Sequence, residues 1–573
     1  MSGPNRGEEP AVSNGDFEGK AAGLRLKALS AEAARVLARY EQRIEELGSI
    51  KDRAQRLQVL LTATESLEEL PLSDTLSLNL QALKHLFEQC SDWVVRTFRI
   101  AGGREAALVY FDGLVDGARL DGSVLKPLLY DAFPTRGRPP TADAVRAFLE
   151  QHVVALSEVR AATTIWELAD GVLRGDAALL LDGESSTLLL RVTAFEHRSV
   201  DEPETESVIR GPREGLVESL RTNMGLLRRR IRTPQFKLDV LRVGHLSRTD
   251  IAIAYIRGVA PDVLIQEVKR RVSRIKIDAI LDTAYIEELI EDDPYSPFPQ
   301  VLATERPDIV AANLLEGRVA ILAEGASFAL VVPITLWALL QASEDYYERY
   351  FIATALRVLR YLFALIALML PAMYIAITTF HQEMLPTALL LTVAATREGI
   401  PFPSIVEALL MEVSFEALRE AGIRLPKTVG QAVTIVGALV IGQAAVQAGI
   451  VSAPILIIVA LTGIASFTFP RFNFGIAIRL LRFPLMFLAA TLGLYGVIIG
   501  LLTILVHLAG LRSFGIPYLS PVAPLTAGDL IDVALRPPIW LRGFRPRLVG
   551  YPNPRRQPRR VKPGPEPWEE NGD

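Results

Sequence analysis

Six histidines, one cysteine and a few strand-end aspartates are the side chains in this 573-residue chain to which chemistry would first be assigned. His85, His152, His197, His245, His381 and His507 never fall at the short intervals of a zinc site, and Cys90 stands alone, so no metal centre is expected. There is no nucleophile elbow, no phosphate loop with its lysine, no dinucleotide fingerprint and no metalloprotease helix. Asp112, Asp116 and Asp182 could form a carboxylate site. A second copy of the same segment carries Arg257, Ala260 and Glu324 at the corresponding places, so these acids are read as residues that set turns. The expectation is a protein that is not an enzyme and holds no cofactor.

Two further groupings carry charge or polarity with a pattern. Gly211-Pro-Arg-Glu-Gly215 opens a helix bearing Arg221, Arg228, Arg229, Arg230 and Arg232, where free amides and Arg213 could hold an anion. Without a lysine and Ser/Thr pair it is read as an interdomain turn followed by a solvated basic helix. Gln431, Gln443 and Gln447 lie in an apolar stretch, with Gln443 and Gln447 one helical turn apart. Such residues either line an aqueous pathway or hydrogen-bond between helices. Upstream, Glu412, Glu416 and Glu420 recur every four residues on one face of Ser404–Gly422, opposite Ile405, Leu409 and Val413. That pattern predicts an amphipathic helix lying at a membrane interface or lining a vestibule.

The elements that position these residues follow from hydropathy. Tyr361–Phe380, Thr428–Pro470 and Phe483–Leu511 contain no Asp, Glu, Lys or Arg, and a bilayer core takes about 20 apolar residues per helix, so an integral membrane protein is expected. Arg349, Arg357 and Arg360 place the start of the first span on the cytoplasmic side, with His381, Gln382 and Glu383 beyond it. Met384–Thr396, with Pro386, is short for a span and suits a re-entrant segment. Thr428–Pro470 allows two spans broken at Gly449–Pro454, and Arg471, Arg479 and Arg482 return the chain to the cytoplasm before the last span. Gly493, Gly496 and Gly500 on that span are candidates for close packing between copies in an oligomer. The Arg-rich tail, Arg536–Arg560, should stay inside and be disordered after about residue 545.

The region before the spans is charged throughout and opens with the polar run Ser2–Glu18 in place of a leader, which puts the soluble part in the cytoplasm. A lone cysteine fits a reducing compartment, and a net charge of -4 on the whole chain gives no reason to invoke nucleic acid. Leu26, Leu29, Ala33, Val36, Tyr40, Ile44, Leu47, Ile50, Ala54, Leu57 and Leu61 stripe a helix that should pack on its own protein, since Arg43 interrupts a strict heptad.

The middle of the chain is duplicated. Ala107-Leu-Val-Tyr-Phe-Asp-Gly113 matches Ala252-Ile-Ala-Tyr-Ile-Arg-Gly258, and Gly175-Asp-Ala-Ala-Leu-Leu-Leu-Asp-Gly183 matches Gly317-Arg-Val-Ala-Ile-Leu-Ala-Glu-Gly325, both at a spacing of about 144 residues. Because the first copy is soluble, Val319–Leu340 is read as a buried β-hairpin turning at Glu324-Gly325, not as a membrane helix. The expected architecture is multi-domain: a helical N-terminal extension (1–72), two tandem related cytoplasmic α/β domains (73–207 and 208–345), an α-helical polytopic membrane domain of four or five spans with a re-entrant or interfacial segment (346–515), and a tail (516–573).

An ordered series of motifs resembles the A subunit of the GerA family of spore germinant receptors. It comprises Asp112-Gly-Leu-Val-Asp116, Glu202-Pro-Glu-Thr-Glu206, Arg210-Gly-Pro-Arg-Glu-Gly215, Tyr285-Ile-Glu-Glu-Leu-Ile-Glu-Asp292 and Ser296-Pro-Phe-Pro299 in the soluble half. Glu344-Asp-Tyr-Tyr-Glu-Arg349, Thr379-Phe-His-Gln-Glu383, Arg397-Glu-Gly-Ile-Pro-Phe402, Gly437-Ala-Leu-Val-Ile-Gly-Gln443, Ala460-Leu-Thr-Gly-Ile-Ala465 and Leu511-Arg-Ser-Phe-Gly515 continue it, so the resemblance runs from about Ser91 to Pro538. It implies a protein of the dormant spore's inner membrane, needed for germination in response to nutrients. The family members act with a transporter-like B subunit, thought to bind the nutrient, and a lipoprotein C subunit, and the A subunit is expected to form a homo-oligomer and contribute an ion pathway. On that reading Gln443 and Gln447 are the candidate pore lining and Glu412 and Glu416 a vestibule that concentrates cations. A secondary transporter and a structural scaffold are the alternatives. The first would usually show two related membrane halves, whereas the repeat here is in the soluble half.

Overall fold

A computed structural model of the chain describes residues 70–100, 103–130, 143–145, 147, 159–193, 203, 206, 208–425, 440–549 and 552–557. The striped helix expected before residue 70 and Gln431 lie outside the described residues.

The duplicated segments build two five-stranded sheets of the same topology. The first holds β1 (Trp93–Arg99), β2 (Glu105–Phe111), β3 (Val159–Ala162), β4 (Ala177–Leu181) and β5 (Thr187–Leu190) in the order β1-β2-β4-β5-β3. The second holds β6 (Phe236–Val243), β7 (Thr249–Ile256), β8 (Leu302–Thr304), β9 (Val319–Ala323) and β10 (Ala329–Val332) in the order β6-β7-β9-β10-β8. Every pairing within them is antiparallel, which corrects the α/β expectation to α+β: neighbouring strands are joined by hairpins or by excursions to the sheet edge, without parallel crossovers. The hairpin predicted at Glu324-Gly325 is the β9–β10 turn.

The two copies share their turn chemistry as well as their strands. Gly183 and Gly325 both turn at φ +82°, a left-handed conformation that glycine adopts without a Cβ penalty. Their acidic neighbours do the same work. Asp182 accepts from the Leu76 amide at 3.0 Å, capping α1 (Leu76–Leu86), and Glu324 accepts from the Leu220 amide at 2.8 Å. In each copy an asparagine on that helix folds back on the preceding loop, Asn79 onto Ser73 and Asn223 onto Val217, its side-chain oxygen accepting at 2.8 Å. Of the acids considered for a carboxylate site, Asp182 is thus a cap, Asp116 caps the short turn after it by accepting from the Ala118 amide at 3.0 Å, and Asp112 pairs with Arg221 at 2.5 Å.

In the first domain α2 (Ile165–Leu173) packs on the sheet beside α1, and the two sheets meet through α3 (Leu220–Arg230). A Cβ placed on Gly225 would stand 2.6 Å from the Gly113 carbonyl of the first domain, so the backbones touch there. Arg228 is fully buried at this seam, lies 4.0 Å from the centre of the Phe111 ring and forks onto Asp92 at 2.6 and 2.8 Å. The helix expected to be solvated therefore carries the charge that closes the domain interface.

Alternate residues of each sheet face opposite cores. In the second sheet one face packs on α4 (Asp262–Ser273) and α5 (Thr283–Ile290). The other face, with Phe236, Leu238, Ala254 and Leu322, runs without a break into the apolar interior of the C-terminal helices at Ala376, Met486 and Val497. Those helices are α6 (Tyr350–Phe380), α7 (Thr387–Arg397), α8 (Ser404–Arg424), α9 (Ala453–Ser466) and α10 (Phe472–Gly510). Among the described residues two of them, α6 and α10, are long and apolar enough to cross a membrane.

The last of these is a hairpin. Gly493 has φ 63° and ψ -143°, and a Cβ on Gly500 would lie 2.5 Å from Leu485. In a straight helix those positions would be about 22 Å apart. Phe474 and His507, about 50 Å apart along a straight helix, both sit against Phe298 of the second domain, with ring centroids at 6.5 and 6.2 Å. The single last span expected from hydropathy is instead an arm at 472–492 and a return arm at 494–510, turning where Gly493 meets Phe380 and His381 at the end of α6.

Asp92→Asn should lower stability by about 3–5 kcal/mol in thermal or denaturant unfolding of the full chain, because it leaves Arg228 buried without a counter-ion. Glu105→Gln, at an exposed pair with Arg99, should cost less than about 1 kcal/mol. Equal effects would remove Arg228 from its role. On α5, burial, followed by Glu291 and Asp282, pushes the Glu287 carboxyl up from 4.5 to about 7. The folded state then keeps a proton that the unfolded chain has released, so stability is full below pH about 4.5 and falls as pH rises to about 7. Glu287→Gln should flatten that fall in melting temperature, and a fall of unchanged depth would assign it to other groups.

Candidate functional site

Ionic pairs among apolar helices are the feature that composition least explains. Helix α8 runs antiparallel to α6, from the Thr378–Ser404 hydroxyl contact at 3.2 Å toward the Ser466 end of α9, where Arg419 donates to Ser466 Oγ at 3.1 Å. Its acids turn onto the first arm of α10. Glu412 pairs with Arg482, and both side chains are less than 5% exposed, 3% and 4%. Arg482 also donates from Nε to the Ala367 carbonyl at 2.9 Å, which ties three helices at one point. One turn along, Arg479 reaches Glu416 at 2.7 Å. At the far end Glu407 accepts from the Ser452 amide at 2.9 Å and faces Arg397 at 3.2 Å.

This geometry revises the expected interfacial helix. Spacing of four between Glu412 and Glu416 and of three between Arg479 and Arg482 matches across two antiparallel helices, so these two acids turn toward α10, while Glu420 stays exposed and pairs with Arg424 of its own helix. Glu412 presents no carboxylate to a water-filled vestibule. Glu416 is half exposed, and its carboxylate is held by Arg479. Arg471, Arg479 and Arg482, expected only to orient the chain, all have acidic partners inside the protein.

A second set of pairs joins the sheet domain to the helices. Arg471, at the mouth of α10, pairs with Glu206, which also accepts from Thr304 Oγ1 at 2.7 Å. Beside it Arg306 is buried and forks onto Asp308 at 3.1 and 2.9 Å, and Tyr347 donates to the same carboxylate at 2.5 Å. Burial and that bond to Asp308 push the Tyr347 hydroxyl up.

A third set lies where α6 begins. Arg360 donates to Asp345 at 3.0 and 3.1 Å, and the fully buried Arg357 stands between Asp345 at 3.5 Å and Asp532 of α11 (Ala527–Ala534) at 3.3 Å. Tyr346 donates to Asp532 at 3.2 Å, and Arg542 of the tail reaches it at 2.9 Å. Burial raises the Asp532 carboxyl despite the pull of Arg542 and Arg357. The tail expected to be disordered after about residue 545 is docked where it is described: Arg545 donates to the Leu315 carbonyl at 2.7 Å and Arg556 to Glu316 at 3.0 Å.

The remaining candidates divide. Gln443 and Gln447 lie on the helix at 440–447, which packs on α9 through Gly442, and both are exposed. Glu412 and Glu416 are bonded instead to Arg482 and Arg479. Gly493, Gly496 and Gly500 are buried within the chain, where they let the two arms of α10 touch; a Cβ on Gly496 would clash with the Leu488 carbonyl. That corrects their assignment to packing between copies. Among the described residues no group of three or more His, Cys, Asp or Glu stands together to hold a metal ion. What this arrangement offers is mechanical and electrostatic linkage.

Glu412→Gln should destabilise the chain by about 3–5 kcal/mol, as should Arg482→Met, since each leaves a buried ionic partner unmatched. Glu412→Leu combined with Arg482→Met should recover most of that loss in a double-mutant cycle. Additive losses would refute the pairing.

Over residues 81–548 the chain matches the family described as Bacillus/Clostridium GerA spore germination protein. It is 48% identical over 506 residues to the uncharacterized membrane protein YfkQ of Bacillus subtilis, covering 88% of this chain and 97% of that protein. It is 44% identical to spore germination protein KA of the same organism, covering 86% and 90%. The crystal structure of the N-terminal domain of the A subunit of the Bacillus megaterium spore germinant receptor GerK3 is 32% identical, covering 46% of this chain and 96% of that one at a TM-score of 0.37. With a family match running through both sheets and all the C-terminal helices, the chain belongs to the GerA family of spore germination proteins.

Proposed function

We propose that this chain is the A subunit of a nutrient germinant receptor in the spore inner membrane, assembled with a B and a C subunit. In this reading it forms a homo-oligomer and couples nutrient sensing to ion release as part of a ligand-gated channel. Relatives named as spore germination proteins support the role, and two apolar helices support the membrane setting.

The observation that carries the channel reading is the exposed pair Gln443 and Gln447 on a helix whose buried side is Gly442. Amide side chains facing hydrocarbon are costly, so this face calls for water or for the same face of other copies around an axis. Such a ring would give a polar constriction. Coupling requires that nutrient binding favour one arrangement of the assembly over another, not that any bond be made. The pairs at Arg357, Arg360 and Arg471 supply the route, because a displaced sheet domain takes α6 and α10 with it.

Reconstituted in liposomes with its B and C partners, the chain should pass ions when nutrient is added. Gln443→Leu and Gln447→Leu together should cut nutrient-gated flux at least tenfold while assembly and nutrient binding persist. Flux that is unchanged in assembled double variants would remove these residues from the pore. Assembled complexes that bind nutrient and never conduct would favour the scaffold.

A further inference from the structure

We propose that the crevice between the second sheet domain and the C-terminal tail is a binding site for a phosphate-bearing ligand. A cavity of about 530 Å³ opens there, between the end of the helix Pro307–Leu315, the linker before α6 and the tail at Ile539, Arg542, Arg545 and Arg556. It is of the size that holds a small organic molecule.

The charges around it do not balance. Five arginines face the cavity, Arg318, Arg471, Arg542, Arg545 and Arg556, against two carboxylates, Asp308 and Glu316. Asp308 is committed to Arg306 and Tyr347, and Arg471 to Glu206. Four guanidinium groups are then left with Glu316, of which three reach it, Arg542 at 3.1 Å, Arg556 at 3.0 Å and Arg318 at 3.8 Å. Asp532 offsets part of Arg542 only. Among the described residues Arg545 has no carboxylate partner, its nitrogens donating instead to Leu315, Asn553 and Arg555. Nε of Arg318 is buried without a hydrogen-bond partner.

Their titration agrees with crowding of like charge. Burial, followed by Arg556, pushes the Arg545 guanidinium down. Burial alone would raise the Glu316 carboxyl, yet Arg318, Arg556 and Arg542 hold it below the usual range. About two positive charges remain uncompensated, which suits a phosphate group, whether a singly charged diester or a doubly charged monoester, and guanidinium forks match phosphate oxygens in geometry. Ile309, Ala312 and Ile539 leave room beside them for an apolar portion.

The ligand's phosphate could come from solution or from a lipid headgroup. The site lies beside the start of α6, where Trp540 stacks edge-on against Tyr350 at 6.1 Å and where Ile539, Leu541 and Phe544 are exposed. That is where a headgroup would stand if α6 enters a membrane.

The test uses the full chain in a sugar-headed detergent that contains no phosphate, titrated with inorganic pyrophosphate at constant ionic strength, and separately with phosphatidylglycerol in mixed micelles. Saturable binding of at least one probe is expected, weakened at least tenfold by Arg545→Ala with Arg556→Ala. Glu316→Gln should tighten it severalfold, a change that misfolding cannot produce. Pyrophosphate affinity lowered by added phosphatidylglycerol would identify the headgroup as a ligand, and affinity left unchanged would identify a soluble phosphate. The proposal is overturned if neither probe saturates, or if both sets of variants bind as the parent does.

Discussion

Removing a guanidinium from water costs several kcal/mol, and the architecture of this chain is organised around recovering that cost. Arg228, Arg306 and Arg357 are almost completely buried, and Arg482 nearly so. Arg228 and Arg482 are matched by carboxylates from another part of the fold: Asp92 across the two sheet domains, and Glu412 across two helices. Arg357 is matched by Asp345 ahead of its helix and by Asp532 of the C-terminal segment. Arg306 takes its carboxylate from nearby Asp308, but it also donates to the backbone carbonyls of Glu206 and Pro212. A pair that spans two elements favours one relative placement and penalises the others, so these residues confer registration more than net stability.

The two copies of the sheet domain have divided the labour. In the first, both faces close on their own helices. In the second, one face is shared with the apolar interior of the C-terminal helices, through Leu238, Ala254 and Leu322 on one side and Ala367 and Met486 on the other. The second copy is thus a base on which the helices are built, and the first is attached to it through α3, where Gly225 meets Gly113 and Arg228 meets Asp92.

How much of this was legible in the sequence depends on range. The duplication, its turn glycines and the β9–β10 hairpin were visible because each is a local pattern repeated at a fixed distance. Asn79 and Asn223 stand at that same distance and could have been recognised as a pair. The ion pairs were hidden, because periodicity reports the face a residue occupies and says nothing of what lies opposite it. Arg479 and Arg482 therefore looked like topogenic charge, and Glu412 looked like a solvated acid. The glycines of α10 were ambiguous for a different reason. Small residues every three or four positions allow close approach of any helix, and only the left-handed backbone at Gly493 shows that the neighbour is the same chain turned back.

That turn changes what kind of part α10 is. Both of its ends are anchored on one surface, the patch around Phe298, while its bend rests on the last turn of α6. A rod held at one end can slide along its axis, but a loop held at both feet cannot. A tilt of the base raises one foot as it lowers the other, so the loop delivers torque to whatever touches its tip.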